Sequence, residues 1–266
     1  MEQPIESPTI KQYLLSIRIS SEGFNLTVFD ESGVLLSTKK VTMSIFSLSA
    51  DEIIKIMLPE TELNYRSVRL IYESDIYTFI PAPVFKMDEA ADMLHFQFKP
   101  DKKNQIILNR IPKWQTVDVF SIPKTVNQAL IHLFPNAIVE HHLSYFLNEF
   151  VKTQSENTVY IQIRSNIMDV VVLTNGNIQL INSYSFNTPE DFTYYTLNIF
   201  DKLSLETEKC NVVLFNSERR PELLKTLENY LKVIKGEKTG NKKKRSQLRF
   251  LPKENQKLIW RITFFL

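Results

Sequence analysis

Apolar and polar residues alternate in three short segments near the start of the chain. These segments are Tyr13–Ser20, Phe24–Phe29 and Val34–Lys40, and a glycine, Gly23 or Gly33, lies in each connection between them. Alternation with a period of two places the apolar side chains on one face of a strand, and glycine suits tight turns. The pattern therefore predicts an antiparallel meander of three strands that buries one face.

A helix is predicted directly after this meander. Ser49 and Glu52 have the spacing of a capping box, in which each side chain bonds the backbone N–H of the other residue. The apolar residues that follow at helical spacing are expected to be buried, and they are Ile53, Ile54, Met57 and Leu58. Pro59 is expected to end the helix.

The middle of the chain mixes further strands and helices. The predicted strands are Ser67–Tyr72, Ile76–Ile80, Gln105–Ile111 and Val117–Ile122. The predicted helices are Asp88–Phe98, a segment that begins at Pro123 and ends before Pro135, and His142–Val151.

The pattern of the first segments then starts again. A second meander is predicted over Val159–Arg164, Met168–Leu173 and Asn177–Ser185. A helix capped by Thr188 follows, then a strand over Asn211–Phe215 and a helix that carries Leu223, Leu224, Leu227 and Leu231. Because meander, helix, strand and helix occur twice, the sequence predicts an internal duplication. The predicted boundaries are 1–136 for the first subdomain, 137–235 for the second and 236–266 for a basic tail.

The composition is that of a globular chain, with 43% hydrophobic and 23% charged residues among 266. Its single cysteine, Cys210, excludes an internal disulfide and any zinc site built on two cysteines. Five glycines are few for a phosphate-handling enzyme, whose loops need close backbone approach. Residues 1–12 lack the pattern of a signal peptide, and no window of about 20 apolar residues, the length of a membrane-spanning helix, occurs. These features predict a cytoplasmic protein that does not engage a membrane.

The charge is distributed unevenly along the chain. Residues 232–266 contain eleven Lys or Arg and two acids, whereas residues 1–231 carry an excess of acids. Lysine and arginine within 242–261, together with Phe250 and Trp260, could bind RNA through phosphate contacts and base stacking. Two alternatives are a solvated extension without a ligand and an altered ending that differs from the ancestral sequence.

Several segments resemble an uncharacterised family of Bacteroidetes proteins that has an actin-like ATPase fold. The segments that carry the resemblance are LLSIRISSEGFNLTVFD (14–30), IYTFIPAPVF (76–85), VDVFSIP (117–123), HHLSYFL (141–147) and SYSFNTPEDFTYYTLNIFDKLSLE (183–206). The resemblance covers about residues 13–231 and implies an α/β, actin-like ATPase (ribonuclease H-like) fold. It implies two duplicated subdomains and no particular activity.

The wider actin-like superfamily suggests where phosphate chemistry would lie. Active members carry an acid-x-Gly turn between the first two strands of each half, where the acid positions Mg²⁺ or water. The first turn here reads Ser20-Ser21-Glu22-Gly23, and the second, Arg164–Met168, has no glycine. Asp169 follows the second turn and is expected to face solvent as an ordinary strand residue. The sequence thus predicts a retained fold and a lost ATPase, with no catalytic, cofactor-binding or metal-binding residues assigned.

Other candidate groups are also interpreted as structural. His141 and His142, with Glu140 and Ser144 beside them, are interpreted as polar residues at the start of a helix. His95 and His132 are interpreted as structural histidines, and Cys210 as a small buried residue. Phe192, Tyr195 and Phe200 share one helix face and are expected to belong to the core, with a groove for a partner as the alternative.

These observations favour a non-catalytic intracellular binding or scaffold protein that uses a degenerate actin-like fold and acts on a protein partner. One alternative is a divergent nucleotide-binding ATPase that uses ATP and Mg²⁺. A second is an RNA- or ribosome-associated adaptor that acts through residues 242–261, whose binding would fall steeply with salt.

Overall fold

The computed structural model describes residues 13–149, 157–215 and 220–235, without the side chains of residues 149, 234 and 235. The first twelve residues, the end of the helix predicted over His142–Val151, and the basic tail 236–266 lie outside these ranges. Two compact units make up the chain, with the boundary between Asn148 and Glu149. No helix within the described ranges is long and apolar enough to span a membrane.

The first unit contains two sheets. Its strands are β1 (Tyr13–Ser20), β2 (Gly23–Phe29), β3 (Leu35–Thr42), β4 (Tyr65–Tyr72), β5 (Tyr77–Pro81), β6 (Asn104–Ile111), β7 (Thr116–Pro123) and β8 (Ile138–His141). Its helices are α1 (Ala50–Met57), α2 (Ala90–His95), α3 (Lys124–Leu133) and α4 (His142–Glu149). The larger sheet has the order β3-β2-β1-β4-β8, in which β1 to β3 are antiparallel and β1, β4 and β8 are parallel.

The predicted meander forms one side of this sheet, with β1 at the centre and β3 at the edge. Leu15, Ile17 and Ile19 of β1 are buried, as are Phe24 and Leu26 of β2. The capping box of α1 is present, and α1 packs against α3. Apolar alternation therefore buries side chains of the meander, and the capped helix α1 buries Ile53 and Met57.

A smaller sheet is inserted between β4 and α3. Its strand order is β5-β7-β6, all antiparallel, and α2 packs against it. Ile80, Ala90, Leu94, Val117 and Val119 form its buried apolar cluster. This insertion brings β7 and β6 close to β8, because hydrogen bonds from both strands reach the end of β8.

The second unit repeats the order of the larger sheet. Its strands are β9 (Asn157–Arg164), β10 (Ile167–Thr174), β11 (Asn177–Ser185), β12 (Cys210–Phe215) and β13 (Val233–Lys235), and its helices are α5 (Pro189–Lys202) and α6 (Pro221–Leu227). The sheet order is β11-β10-β9-β12-β13. The capping box of α5, formed by Thr188 and Asp191, corresponds to the one that begins α1.

Strand registers establish which residues of the two units correspond. Arg18 pairs with Asn25 across the first hairpin, and Gln162 pairs with Asp169 at the same distance from the second turn. The predicted duplication, a three-stranded meander followed by helices and further strands in each half, is therefore confirmed.

The structure differs from the sequence-based expectations at several positions. β8 and α4 belong to the first unit, since β8 pairs with β4, whereas the predicted boundary placed them in the second half. Leu58, predicted to be buried, is 54% exposed because α1 ends at Met57. The strands β8 and β13 were not predicted, and α6 ends at Leu227 before the buried Leu231.

Candidate functional site

The turn between β1 and β2 was the first candidate for a phosphate loop. Gly23 has a φ of 129°, and a Cβ atom added there would lie 2.0 Å from the carbonyl oxygen of Val41 in β3. The glycine is thus required by the close approach of the neighbouring strand. The backbone N–H of Glu22 donates to Oγ of Ser20 at 3.2 Å, so this turn amide already has an acceptor.

An ion pair lies beside this first turn. The guanidinium of Arg18 in β1 bonds the carboxylate of Glu73, which follows β4, and both side chains are mostly buried. The strand that leads into the first turn therefore carries a cation, which is neutralised within the unit.

Asp169 near the second turn is buried, contrary to the expectation that it faces solvent. The Arg164 guanidinium donates to it twice, from Nε to Oδ2 at 2.5 Å and from Nη2 to Oδ1 at 2.9 Å. The hydroxyl of Ser183 in β11 donates to Oδ1 at 2.6 Å. Both carboxylate oxygens are therefore engaged by side chains of the same sheet. Residue alternation could not reveal this, because the strand is covered on both faces.

The second turn itself is covered by an arginine. Nη1 of Arg220 lies 3.2 Å from Oδ1 of Asn166 and 3.5 Å from the carbonyl oxygen of Ser165. The same guanidinium lies over the ring of Phe186, at 5.5 Å, and bonds the carboxylate of Glu222. That bond from Arg220 lowers the pKa of the Glu222 carboxyl. Arg220 thus fixes the turn to the start of α6.

A buried polar cluster in the first unit brings together Asp118, His141 and Ser144. Nδ1 of His141 lies 2.8 Å from Oδ2 of Asp118, and its Nε2 lies 2.9 Å from the carbonyl oxygen of Ser74. The hydroxyl of Ser144 donates to the same Oδ2 at 2.5 Å. None of the three side chains is accessible to solvent.

These are the residue types of a hydrolytic triad, but their contacts are in the wrong order. A triad needs the serine hydroxyl to donate to the histidine, which then accepts its proton. Here the hydroxyl of Ser144 bonds Asp118, and both ring nitrogens of His141 face oxygen acceptors. The ring also packs on Phe120 at a centroid distance of 5.1 Å and on Tyr77 at 4.8 Å. The cluster is therefore a structural one that joins β7, β8 and α4.

The structure shows a structural role for only some of the remaining candidate residues. Glu140 lies in β8 rather than at a helix start, and it accepts from Arg69 at 2.7 Å. His95 and His132 are exposed, so the interpretation of both as satisfied structural histidines is wrong. Cys210 is buried as expected, and burial raises the pKa of its thiol to about 11. Phe192 and Phe200 of the aromatic helix face are core residues.

Few groups in the described ranges could hold a metal. No cluster of three or more His, Cys, Asp or Glu side chains there has a geometry suited to a metal ion. The buried carboxylates of Asp118 and Asp169 accept hydrogen bonds from neighbouring side chains instead.

The repeated sheet order defines the class of protein, because two five-stranded sheets of this topology are the basis of the actin-like ATPase fold. A protein of unknown function with that fold, from Bacteroides thetaiotaomicron, has a TM-score of 0.74 and 23% identity over 85% of this chain and 91% of its own. The chain belongs to the family described as "Protein of unknown function (DUF3822)", whose model matches residues 2–234.

More distant structural similarities have much lower scores. The PilM–PilN type IV pilus biogenesis complex matches with a TM-score of 0.47 and 12% identity, over 85% of this chain and 89% of that chain. The ethanolamine utilization protein EutJ from Carboxydothermus hydrogenoformans matches with a TM-score of 0.42 and 9% identity, over 88% and 86%. The comparison with curated proteins found no match.

Proposed function

We propose that this protein is a non-catalytic binding or scaffold protein whose actin-like fold presents surfaces to a protein partner. The observation that carries the proposal is the network around Asp169. Both of its oxygens receive hydrogen bonds from Arg164 and Ser183, and the side chain is 1% exposed. An acid that positions Mg²⁺ needs an oxygen open to the ion, whereas this carboxylate is already neutralised by a guanidinium.

The first turn supports the same proposal independently. Gly23 is accounted for by the carbonyl oxygen of Val41, and the Glu22 amide bonds the Ser20 hydroxyl. Neither feature needs a phosphate group to explain it. A cation, Arg18, occupies the strand position that corresponds to Gln162 beside Asp169.

Thermal unfolding with and without millimolar Mg·ATP, ADP and GTP tests the loss of nucleotide binding. Binding to the native state at 100 times Kd stabilises it by about 2.7 kcal/mol, which raises Tm by a few degrees for a chain of this size. We expect no saturable shift with any nucleotide. A shift that disappears in Asp169→Asn but persists in the matched exposed variant Asp201→Asn would favour the divergent ATPase instead.

A second measurement tests the partner directly. After affinity isolation, the purified candidate partner is titrated against the full chain in the presence and absence of Mg·ATP. We expect the same Kd in both conditions, because binding by a scaffold does not depend on nucleotide. A complex that forms only with hydrolysable ATP would contradict the proposal.

A further inference from the structure

The edge strands of the described sheets differ in how they are protected. An edge strand offers unpaired backbone N–H and C=O groups, and natural proteins protect such edges with lysine, proline, short length or a covering group. β5 has five residues and ends in Pro81, β6 carries Arg110, and β13 has only three residues. The outer edge of β8 is covered by Asn109, whose side chain bonds the carbonyl oxygen of Val139 and the N–H of His141.

The two outermost meander strands, β3 and β11, occupy equivalent places but differ in charge. Leu26 pairs with Lys39 in the first unit, and its equivalent Val170 pairs with Asn182 in the second. The next residues, Lys40 and Ser183, correspond in the same way. Two lysines on β3 are thus replaced by asparagine and serine on β11.

β11 is the longest strand that the structure describes, and its nine residues, NIQLINSYS, include no acid or base. The N–H of Phe186 donates to the carbonyl oxygen of Asn166, which fixes the alternation of hydrogen bonds between β10 and β11. With that alternation, the backbone groups of Ile181, Ser183 and Ser185 point away from β10. One of these donors, the N–H of Ser183, bonds the exposed side chain of Asn182, which a strand partner could replace.

An aromatic surface lies next to this edge. The ring of Tyr184 in β11 stacks on Tyr195 of α5 at a centroid distance of 5.4 Å, and Tyr195 contacts Tyr194 at 5.6 Å. Tyr194 is 65% exposed. Exposed tyrosines are common in protein interfaces, because they contribute a large contact area with few rotatable bonds.

We propose that two copies of this chain pair through the β11 edge, antiparallel and related by a two-fold axis, with the Tyr194 surface at the flank of the interface. A two-fold contact brings a strand against itself, so charged side chains would repel their own copies. β11 carries no such charge, whereas β3 carries two. The charge pattern therefore favours the β11 edge of a second copy as the strand that pairs with this edge. This self-association goes beyond the proposed partner binding.

Sedimentation equilibrium of the full chain over a range of concentrations tests the proposal. We expect a reversible dimer that persists in about 1 M salt, where the Debye length is ~3 Å, because no charges hold the interface. Association through the basic tail with residual nucleic acid would disappear under that condition. A monomer at every concentration overturns the proposal and leaves the proposed function as a separate question.

Charge variants locate the interface. Asn182→Lys recreates the lysine of β3. With the axis near the middle of β11, this variant and Asn182→Glu are each expected to raise the dimer dissociation constant about tenfold or more, because the two copies of residue 182 then carry like charges close together. An equimolar mixture of the two variants should restore the dimer as a heterodimer, which a merely misfolded variant could not do. The matched control is Lys39→Asn on β3, which should leave the dissociation constant unchanged. A dimer that is insensitive to both Asn182 variants would overturn the proposal.

Discussion

Nδ1 of His141 and Oδ2 of Asp118 lie 2.8 Å apart inside the first unit, where neither side chain reaches solvent. The pair joins the inserted sheet to the larger sheet, because Asp118 lies in β7 and His141 ends β8. Nε2 of the same ring contacts the carbonyl oxygen of Ser74, which follows β4. One imidazole thus holds three segments of the chain together.

Asp118→Ala is expected to lower the free energy of unfolding by about 2–5 kcal/mol, because each of two buried groups that loses its hydrogen-bond acceptor costs about 1–3 kcal/mol. The change leaves His141 and the hydroxyl of Ser144 without their common acceptor. Urea denaturation at neutral pH measures the loss. The exposed acid Asp92 provides the control, since Asp92→Ala should change stability by at most about 0.5 kcal/mol. Equal effects of the two substitutions would show that the buried pair contributes nothing particular.

Gly23→Ala is expected to destabilise the protein strongly, by more than about 2 kcal/mol, because a φ of 129° is strained for any L side chain and the Cβ atom would overlap the Val41 carbonyl oxygen. Urea denaturation again measures the effect. Gly176→Asn is the matched control, since its φ of 71° is one that asparagine adopts readily. If Gly23→Ala keeps wild-type stability, the glycine is not explained by the neighbouring strand.

Stability is expected to fall between pH 9 and about pH 11 in part through Cys210. Burial raises the pKa of its thiol from 9.0 to about 11, so the unfolded chain loses this proton at lower pH than the native state. The thiol's contribution is fully present below pH 9 and decreases as the pH rises, by about 1.4 kcal/mol at pH 10. Urea denaturation of wild type and Cys210→Ala at pH 8 and pH 10 isolates this effect, because tyrosine titration is common to both proteins. An equal loss of stability in the two proteins would contradict the assignment.

Local sequence signals were sufficient for most elements of the fold. Two strands were predicted with the bounds that the structure has. Tyr13–Ser20 shows a clear alternation of apolar and polar residues, and Asn177–Ser185 follows a clear turn signal. The starts of α1 and α5 were marked by the capping residues Ser49 and Thr188. These features depend on neighbours within a few residues, which the sequence displays directly.

The strands β8 and β13 could not be predicted for a different reason. β8 reads Ile-Val-Glu-His, and its glutamate and histidine are buried only because Arg69 and Asp118 contact them from other elements. β13 has three residues and is a strand through its pairing with β12. Both strands lie at the outer edge of a sheet and owe their position to tertiary contacts.

The polar clusters were missed for the same kind of reason. Asp169 follows the second turn in sequence, but Ser183, which bonds it, lies one strand further on. Asp118 stands between two valines in a strand and shows no sign of its distant partners. Only the register of the strands brings such residues together, and register is a property of the assembled sheet.

The side chain of Asn109 acts on β8 as a single peptide unit of an additional strand would, since its amide offers one donor and one acceptor to Val139 and His141. An asparagine in the inserted sheet therefore terminates the lateral growth of the larger sheet. The inserted sheet thus limits the number of strands in the larger sheet, because one of its side chains occupies the edge at which a further strand would pair.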